Sequence, residues 1–243
     1  MQNPSSLPPK PFAEKYQPEL TRLPEYTLGR RIARWGLILL SRLLVFLRTR
    51  LAVRGLHNFP ERGPGLIVLN HLGDSDIAII LSQLPTRNVD ILGASNLHDD
   101  LPWVGTLGDL YGVIWLHRGR ADIRALRAAL DGFAEGRVIV IAPEGRYSVT
   151  GALEEGSGGA AFLAYKSGAS ILPIAITGTE NENVHGSLKK FRRAAVHVSV
   201  GKMFKLSGQA ESRQEAVSQG TNQIMQALAD LLPEKYRGAY SSK

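Results

Sequence analysis

Gly65-Leu66-Ile67-Val68-Leu69-Asn70-His71-Leu72-Gly73-Asp74-Ser75-Asp76 is the stretch from which the rest of the chain can be ordered. The apolar run Leu66 to Leu69 predicts a buried strand that delivers Asn70 and His71 at its carboxyl end. Beyond Gly73, the spacing of Ile77, Ile79, Ile80, Leu81 and Leu84 predicts a helix over residues 75–84, with Asp74 or Ser75 as N-cap. His71 and Asp76 are five positions apart. On a continuous helix that offset separates two side chains by about 140°, and on a strand it places them on opposite faces. A strand-to-helix turn lets them meet, and Gly73 gives the backbone freedom for one.

Three readings of the pair stay open on this stretch alone. A histidine has an ordinary pKa of about 6.5 and is largely neutral at pH 7, so a carboxylate that fixes its tautomer makes it a general base. The second reading is an ordinary strand-helix junction with an N-capping aspartate. The third, metal binding by His71, Asp74 and Asp76, lacks a second histidine at a ligand spacing.

The chain has 243 residues, enough to bury a full core, with 44% hydrophobic and 21% charged residues, an ordinary globular composition. It contains no cysteine, which removes disulfides, thiolate metal sites and a cysteine nucleophile from consideration. The net charge of +7 points to an anionic partner: substrate phosphates, a lipid surface or nucleic acid.

Residues 1–28 are rich in proline without an apolar period and read as an arm lying on the body. The scattered apolar residues do not make a secretory signal. Residues 29–243 read as a single domain. Within it, residues 30–50 alternate arginine with leucine. The uncharged part, Trp35 to Leu47, is interrupted at Arg42 and is well short of the roughly 20 apolar residues needed to cross a bilayer. On a helix, Arg31, Arg34, Ser41, Arg42 and Arg48 fall near one stripe, and Leu37, Leu40, Leu43, Leu44 and Leu47 fall elsewhere. This basic amphipathic helix has two readings: an in-plane membrane helix, or a helix that buries its leucines and solvates its arginines.

Downstream, strand patterns fall at 51–53, 66–69, 89–93, 113–116, 138–141, 171–176 and 196–200. Helix patterns fall at 75–84, 122–133, 160–166 and 215–232. Their alternation predicts an α/β fold with a largely parallel sheet covered on both faces by helices. In such sheets ligands bind at the carboxyl ends of strands. His71 sits at one such end, and Arg118 ends a second, where with Arg120 it is placed to receive a phosphate. Glu144, Gly145 and Arg146 end a third, a charged pair beside flexible backbone. Pro173 is read as the start of its strand. Asn96 to Asp100 forms another His-Asp cluster that looks like a helix start.

Together these residues resemble the glycerolipid acyltransferases, most closely the bacterial lysophosphatidate type. The family's Asn-His followed by four residues and Asp matches Asn70, His71 and Asp76. Its Gly-Val-Ile-Phe-Ile-Asp-Arg strand is similar to Gly112 to Arg118, with His117 where an acid is usual. Its Pro-Glu-Gly-Thr-Arg-Ser motif is similar to Pro143 to Ser148, with the arginine one place early. Leu172 to Ile176 and the ending Leu232 to Tyr240 match further family features.

The resemblance implies acyl transfer from acyl-CoA or acyl-carrier protein to the free hydroxyl of 1-acyl-sn-glycerol 3-phosphate, giving phosphatidic acid in phospholipid biosynthesis. It implies His71 as general base oriented by Asp76, with Arg118, Glu144, Gly145 and Arg146 holding the acceptor's phosphate-bearing end. It also implies no cofactor, no metal and no covalent enzyme intermediate. Residues 30–50 become a membrane-associating segment, at the cytoplasmic face of the cell membrane. Both departures fall on the headgroup side, which keeps another lysophospholipid or lyso-aminolipid, then glycerol 3-phosphate, as alternative acceptors. A hydrolase, or a non-catalytic basic protein docking on membranes, are the other classes. Nucleic acid is disfavoured because the arginines lack the interleaved aromatics of a stacking groove.

Overall fold

The computed structural model describes residues 15–59, 63–83, 88–119, 121–208 and 210–241. Seven strands form one sheet: β1 (Thr49–Arg54), β2 (Gly65–Leu69), β3 (Val89–Ala94), β4 (Ile114–Leu116), β5 (Val138–Ile141), β6 (Ser170–Thr177) and β7 (Ala194–Val200), in the order β1-β7-β6-β2-β5-β3-β4. The strands β2 to β6 are mutually parallel, whereas β7 runs antiparallel to β6 and carries β1 parallel to itself. All seven lie where the sequence pattern places strands. The helices are α1 (Leu28–Arg48), α2 (Asp76–Gln83), α3 (Leu97–Asp100), α4 (Pro102–Tyr111), α5 (Ile123–Ala134), α6 (Gly159–Ser167), α7 (Asn181–Lys189) and α8 (Arg213–Leu231). Of these, α3 lies where Asn96 to Asp100 reads as a helix start, whereas α4 and α7 are additions to the helix patterns of the sequence. Leu84, Arg120 and residues 1–14 lie outside the described residues.

The pleat divides the core in two. Leu66 and Val68 of β2 face α5, α6 and α8, while Ile67 and Leu69 face the other way, toward α2 and Val45 of α1. β2 is central, flanked by β5 and β6, and buried along its whole length. This double coverage explains why its sequence is a continuous apolar run.

Pro173 lies inside β6, not at its start. Its carbonyl, and with it its nitrogen, faces Gly201 just past the end of β7, where the ladder demands no donor from residue 173.

The arm ends at Thr27, which caps α1 by accepting from the Arg30 N–H. Its described part is fastened to the body. The Thr21 hydroxyl donates to the Trp115 carbonyl at 2.9 Å, and the Pro24 carbonyl accepts from Arg137 at 2.7 Å. α1 ends two residues earlier than the sequence pattern suggests, because Thr49 and Arg50 pair with Ala194 and Ala195 as the start of β1.

The orientation of α1 speaks against the second of the two readings, a helix that buries its leucines and solvates its arginines. Arg34 and Ser41 are buried, whereas Ile32, Trp35, Leu39, Leu40, Leu43, Phe46 and Leu47 are exposed. The inward polar stripe has partners. Arg34 pairs with Asp90 of β3, donates to the Tyr111 carbonyl at 2.6 Å and lies against the rings of Tyr26 and Tyr111. Arg42 donates to the Ser82 carbonyl at 3.1 Å. Asp90 is fully buried and also accepts from Arg137 at 3.0 Å and from the Tyr26 hydroxyl at 3.1 Å, so one carboxylate ties α1, β3, the arm and the turn before β5.

Removing that charge leaves the buried Arg34 guanidinium without a counter-charge, while Arg137 keeps its ion pair with Glu135. Asp90→Asn is expected to destabilise the fold by about 3–5 kcal/mol, read as a lowered urea midpoint.

Candidate active site

β2 ends at Asn70, whose side chain continues the sheet. Its amide donates to the Ile176 carbonyl at 2.9 Å and its oxygen accepts from the Ile176 N–H at 2.7 Å, so the carboxamide acts as one more ladder position opposite β6. The chain then turns through residues 71–75 into α2. Asp76 is the first residue of that helix and fully buried. A single oxygen, Oδ2, accepts three hydrogen bonds: from His71 Nδ1 at 2.7 Å, from the Leu72 N–H at 2.7 Å and from the Gly73 N–H at 3.0 Å. The strand-to-helix turn thus brings the predicted pair together. Gly73 serves it by lacking a side chain rather than by unusual torsion angles, since a Cβ there would stand 2.2 Å from the Thr179 carbonyl oxygen.

Since the carboxylate can only accept, Nδ1 carries the imidazole proton and Nε2 carries the lone pair. Among the described residues no hydrogen bond reaches Nε2, and the side chain is 17% exposed. The geometry is that of an oriented base facing outward.

The segment after β5 grips the His71 backbone from both sides. Glu144 accepts from the His71 N–H at 3.1 Å through one oxygen and from the Glu154 N–H at 2.9 Å through the other, while the Ser148 N–H donates to the His71 carbonyl at 2.8 Å. Glu144 is 1% exposed. It braces the turn that carries His71. Arg146, placed by the sequence beside the acceptor, forms an ion pair with buried Glu154 at 2.8 Å. Gly145 adopts φ of +73°, the left-handed region that favours glycine, and its carbonyl accepts from Arg118 at 3.4 Å. Arg118 also donates to Asn96 at 2.8 Å, which gives the Asn96 cluster a part in orienting that guanidinium. His71, Arg118 and Gly145 therefore share the carboxyl edge of the parallel strands.

Sequence reasoning missed Tyr147. Its ring lies 4.2 Å from the His71 ring, centroid to centroid. Burial raises its phenol well above the ordinary value, helped by the charge of Asp74 and a hydrogen bond to it. Asp74 in turn exchanges two 3.0 Å hydrogen bonds with Asn181 at the start of α7. Among the described residues no cluster of three or more potential ligands is placed to hold a metal ion.

A second pair repeats the five-residue offset. His117 Nδ1 is 2.6 Å from Asp122 Oδ2, but this histidine is fully buried and its Nε2 accepts from the Gln17 N–H of the arm at 2.9 Å. The spacing was visible in the sequence; its closure by residue 17 was not. Burial opposes ionisation of Asp122, yet hydrogen bonds from the His117 ring and backbone and from Ala125 outweigh it and hold the carboxyl below its ordinary value.

Two expectations follow. Tyr147→Ala removes an aromatic contact worth about 0.5–1.5 kcal/mol, whereas Tyr147→Phe retains it, a difference resolved by urea denaturation. Because the folded Asp122 value is lowered, its stabilisation is present above the unfolded value of about 3.9 and is lost as pH falls through the folded one. Asp122→Asn should therefore flatten the acid limb of a stability profile measured by urea midpoints.

Residues 50–177 match the family model described as Acyltransferase. The 1-acyl-sn-glycerol-3-phosphate acyltransferase of Borreliella burgdorferi is 30% identical over 134 residues, which cover 54% of this chain and 53% of that protein. The chloroplastic enzyme of that name from Arabidopsis thaliana is 26% identical, over 62% of this chain and 44% of its own. The human alpha enzyme is 30% identical, over 54% and 47% respectively. The chain thus spans about half the length of the curated relatives it matches. In fold it is similar to the crystal structure of the 1-acyl-sn-glycerophosphate acyltransferase of Thermotoga maritima, with a TM-score of 0.60, 20% identity, and coverage of 85% of this chain and 84% of that one. Since the match takes in more than half of the sequence and includes the His71–Asp76 turn, the Arg118 strand end and the Glu144 brace, the chain belongs to the acyltransferase family.

Proposed function

We propose that this protein transfers a fatty acyl group from a thioester donor, acyl-CoA or acyl-carrier protein, to the free hydroxyl of 1-acyl-sn-glycerol 3-phosphate. The observation that carries the reading is the His71 Nδ1–Asp76 contact at 2.7 Å, which leaves Nε2 facing outward on the edge that also carries Arg118. His71 takes the acceptor's hydroxyl proton as the oxygen attacks the thioester carbonyl. The carbon–sulfur bond breaks and the proton leaves with the thiolate as thiol. Buried Asp76 stabilises the imidazolium formed in between. Arg118, supported by Asn96 and the Gly145 carbonyl, is the guanidinium assigned to the acceptor phosphate. Glu144 and Arg146 contribute by fixing the turn rather than by touching the ligand. No cofactor or metal takes part in this scheme. Names of the matched relatives, all lysophosphatidate acyltransferases, support the acceptor class.

The lipid acceptor is met at a bilayer surface, with the outward leucines, Trp35 and Phe46 of α1 lying in the plane of the cytoplasmic leaflet. No helix among the described residues is long and apolar enough to cross a membrane, which is consistent with in-plane seating.

Thiol release from a long-chain acyl-CoA, with and without lysophosphatidate, tests the assignment, and the cysteine-free chain adds no background to a thiol reagent. Release is expected to require the acceptor and to fall by about 10²–10⁴-fold in His71→Ala. Arg118→Ala should raise KM for the acceptor far more than for the donor. Release without acceptor would instead identify a thioesterase, and equal effects of Arg118→Ala on both substrates would remove it from the phosphate site.

A further inference from the structure

We propose that the turn at residues 188–193 is a second membrane anchor, an aromatic wedge surrounded by cations that seats in the headgroup layer of an anionic bilayer. This deepens the membrane reading of α1 and rests on it. The turn reads Leu188-Lys189-Lys190-Phe191-Arg192-Arg193, one aromatic among four bases. Phe191 is completely exposed and has φ of 51°, a left-handed conformation uncommon for a bulky residue. The conformation is held by backbone hydrogen bonds, from Phe191 to the Leu188 carbonyl at 3.0 Å and from Arg192 to the Ser187 carbonyl at 2.9 Å. A single exposed hydrophobe is ordinary. A ring presented on strained backbone among four cations has the composition of an interfacial anchor, in which an apolar body enters the lipid and bases meet phosphates.

Its position agrees. β7 and β1 run opposite to the five parallel strands, so β7 starts at the edge where β2, β5 and β6 deliver the active-site residues. α7 begins at Asn181, bonded to Asp74 of the catalytic turn, and its nine residues carry the chain about 13 Å to the tip. Arg193 joins the tip to α1: its Nε donates to the Thr49 carbonyl at 2.8 Å and its guanidinium lies 5.0 Å from the ring of exposed Phe46. The wedge thereby continues the outward apolar stripe of α1 toward the catalytic edge, a continuity that favours a bilayer over nucleic acid, which offers no apolar medium to receive it.

The absence of cysteine permits single-site labelling. Phe191→Cys, Leu40→Cys on α1 and Asp230→Cys on the exposed side of α8 would each carry an environment-sensitive fluorophore and be mixed with phosphatidylglycerol-rich or pure phosphatidylcholine vesicles. With the anionic vesicles, the probes at 191 and 40 are expected to shift to the blue and be quenched by nitroxide lipids, and the probe at 230 to stay in water. Combined Lys190→Ala and Arg192→Ala should lower partition onto these vesicles by about 25-fold, roughly fivefold per base. A buried probe at 40 with an aqueous one at 191 overturns the wedge and leaves α1 docking intact, whereas two aqueous probes overturn both. Equal partition onto the two vesicle types overturns the role of the bases. Salt-sensitive binding to duplex DNA without any probe shift transfers the turn to nucleic acid.

Discussion

One oxygen atom, Oδ2 of Asp76, determines how this chain passes from its central strand into the helix that follows. It accepts two backbone N–H groups and one imidazole within five residues, at the amino terminus of α2, where the helix dipole favours negative charge. The turn, the helix start and the histidine rotamer are therefore one hydrogen-bonded unit. Glu144 and Ser148 hold the same loop from the opposite side through the His71 N–H and carbonyl. His71 is braced from both neighbouring segments.

The second pair, His117 and Asp122, shows what makes such an arrangement chemically useful. Both pairs span five residues, both form a short Nδ1–carboxylate contact, and in both the carboxylate also accepts backbone N–H groups at a helix start. They differ in the second ring nitrogen. At His117 it is closed by the Gln17 N–H, and at His71 no described group occupies it. The arm makes the His117 pair structural, and under the proposed function the His71 pair does the chemistry.

Apolar runs made the central strands legible, because a strand covered on both faces has little choice of residue, whereas β1 and β7 alternate between buried and more exposed positions. The helices were legible only where an amphipathic period exists. α4 contains Gly105 and Gly108, which lower helix propensity; in the structure the ring of Trp115 occupies the space that a side chain at 108 would need. α7 has no buried residue and so no pattern. The dyad could be read from its offset, because a turn is the geometry that closes it. The roles of Glu144 and Arg146 could not, since their partners are Glu154 and the His71 backbone, joined only by folding. The stripes of α1 hold only in part. Arg34 and Ser41 face inward beside Val45, with Leu37 packed against the core, while Arg31, Arg42 and Arg48 of the predicted polar stripe are exposed. Periodicity does not say which face turns inward. That was decided by Asp90, Tyr26 and Tyr111, from three distant segments.

The reversal of β7 and β1 has a kinetic meaning. Had all seven strands run the same way, the end of α1 and the 188–193 turn would open on the edge opposite His71. With the last two reversed, catalytic turn, helix exit and basic tip lie along one rim. Under the proposed function and membrane seating, a protein held by that rim would find a lipid acceptor by diffusion in two dimensions rather than three. Its turnover would then follow the mole fraction of that acceptor in the surface instead of its bulk concentration, while a water-soluble thioester donor would keep its ordinary volume dependence.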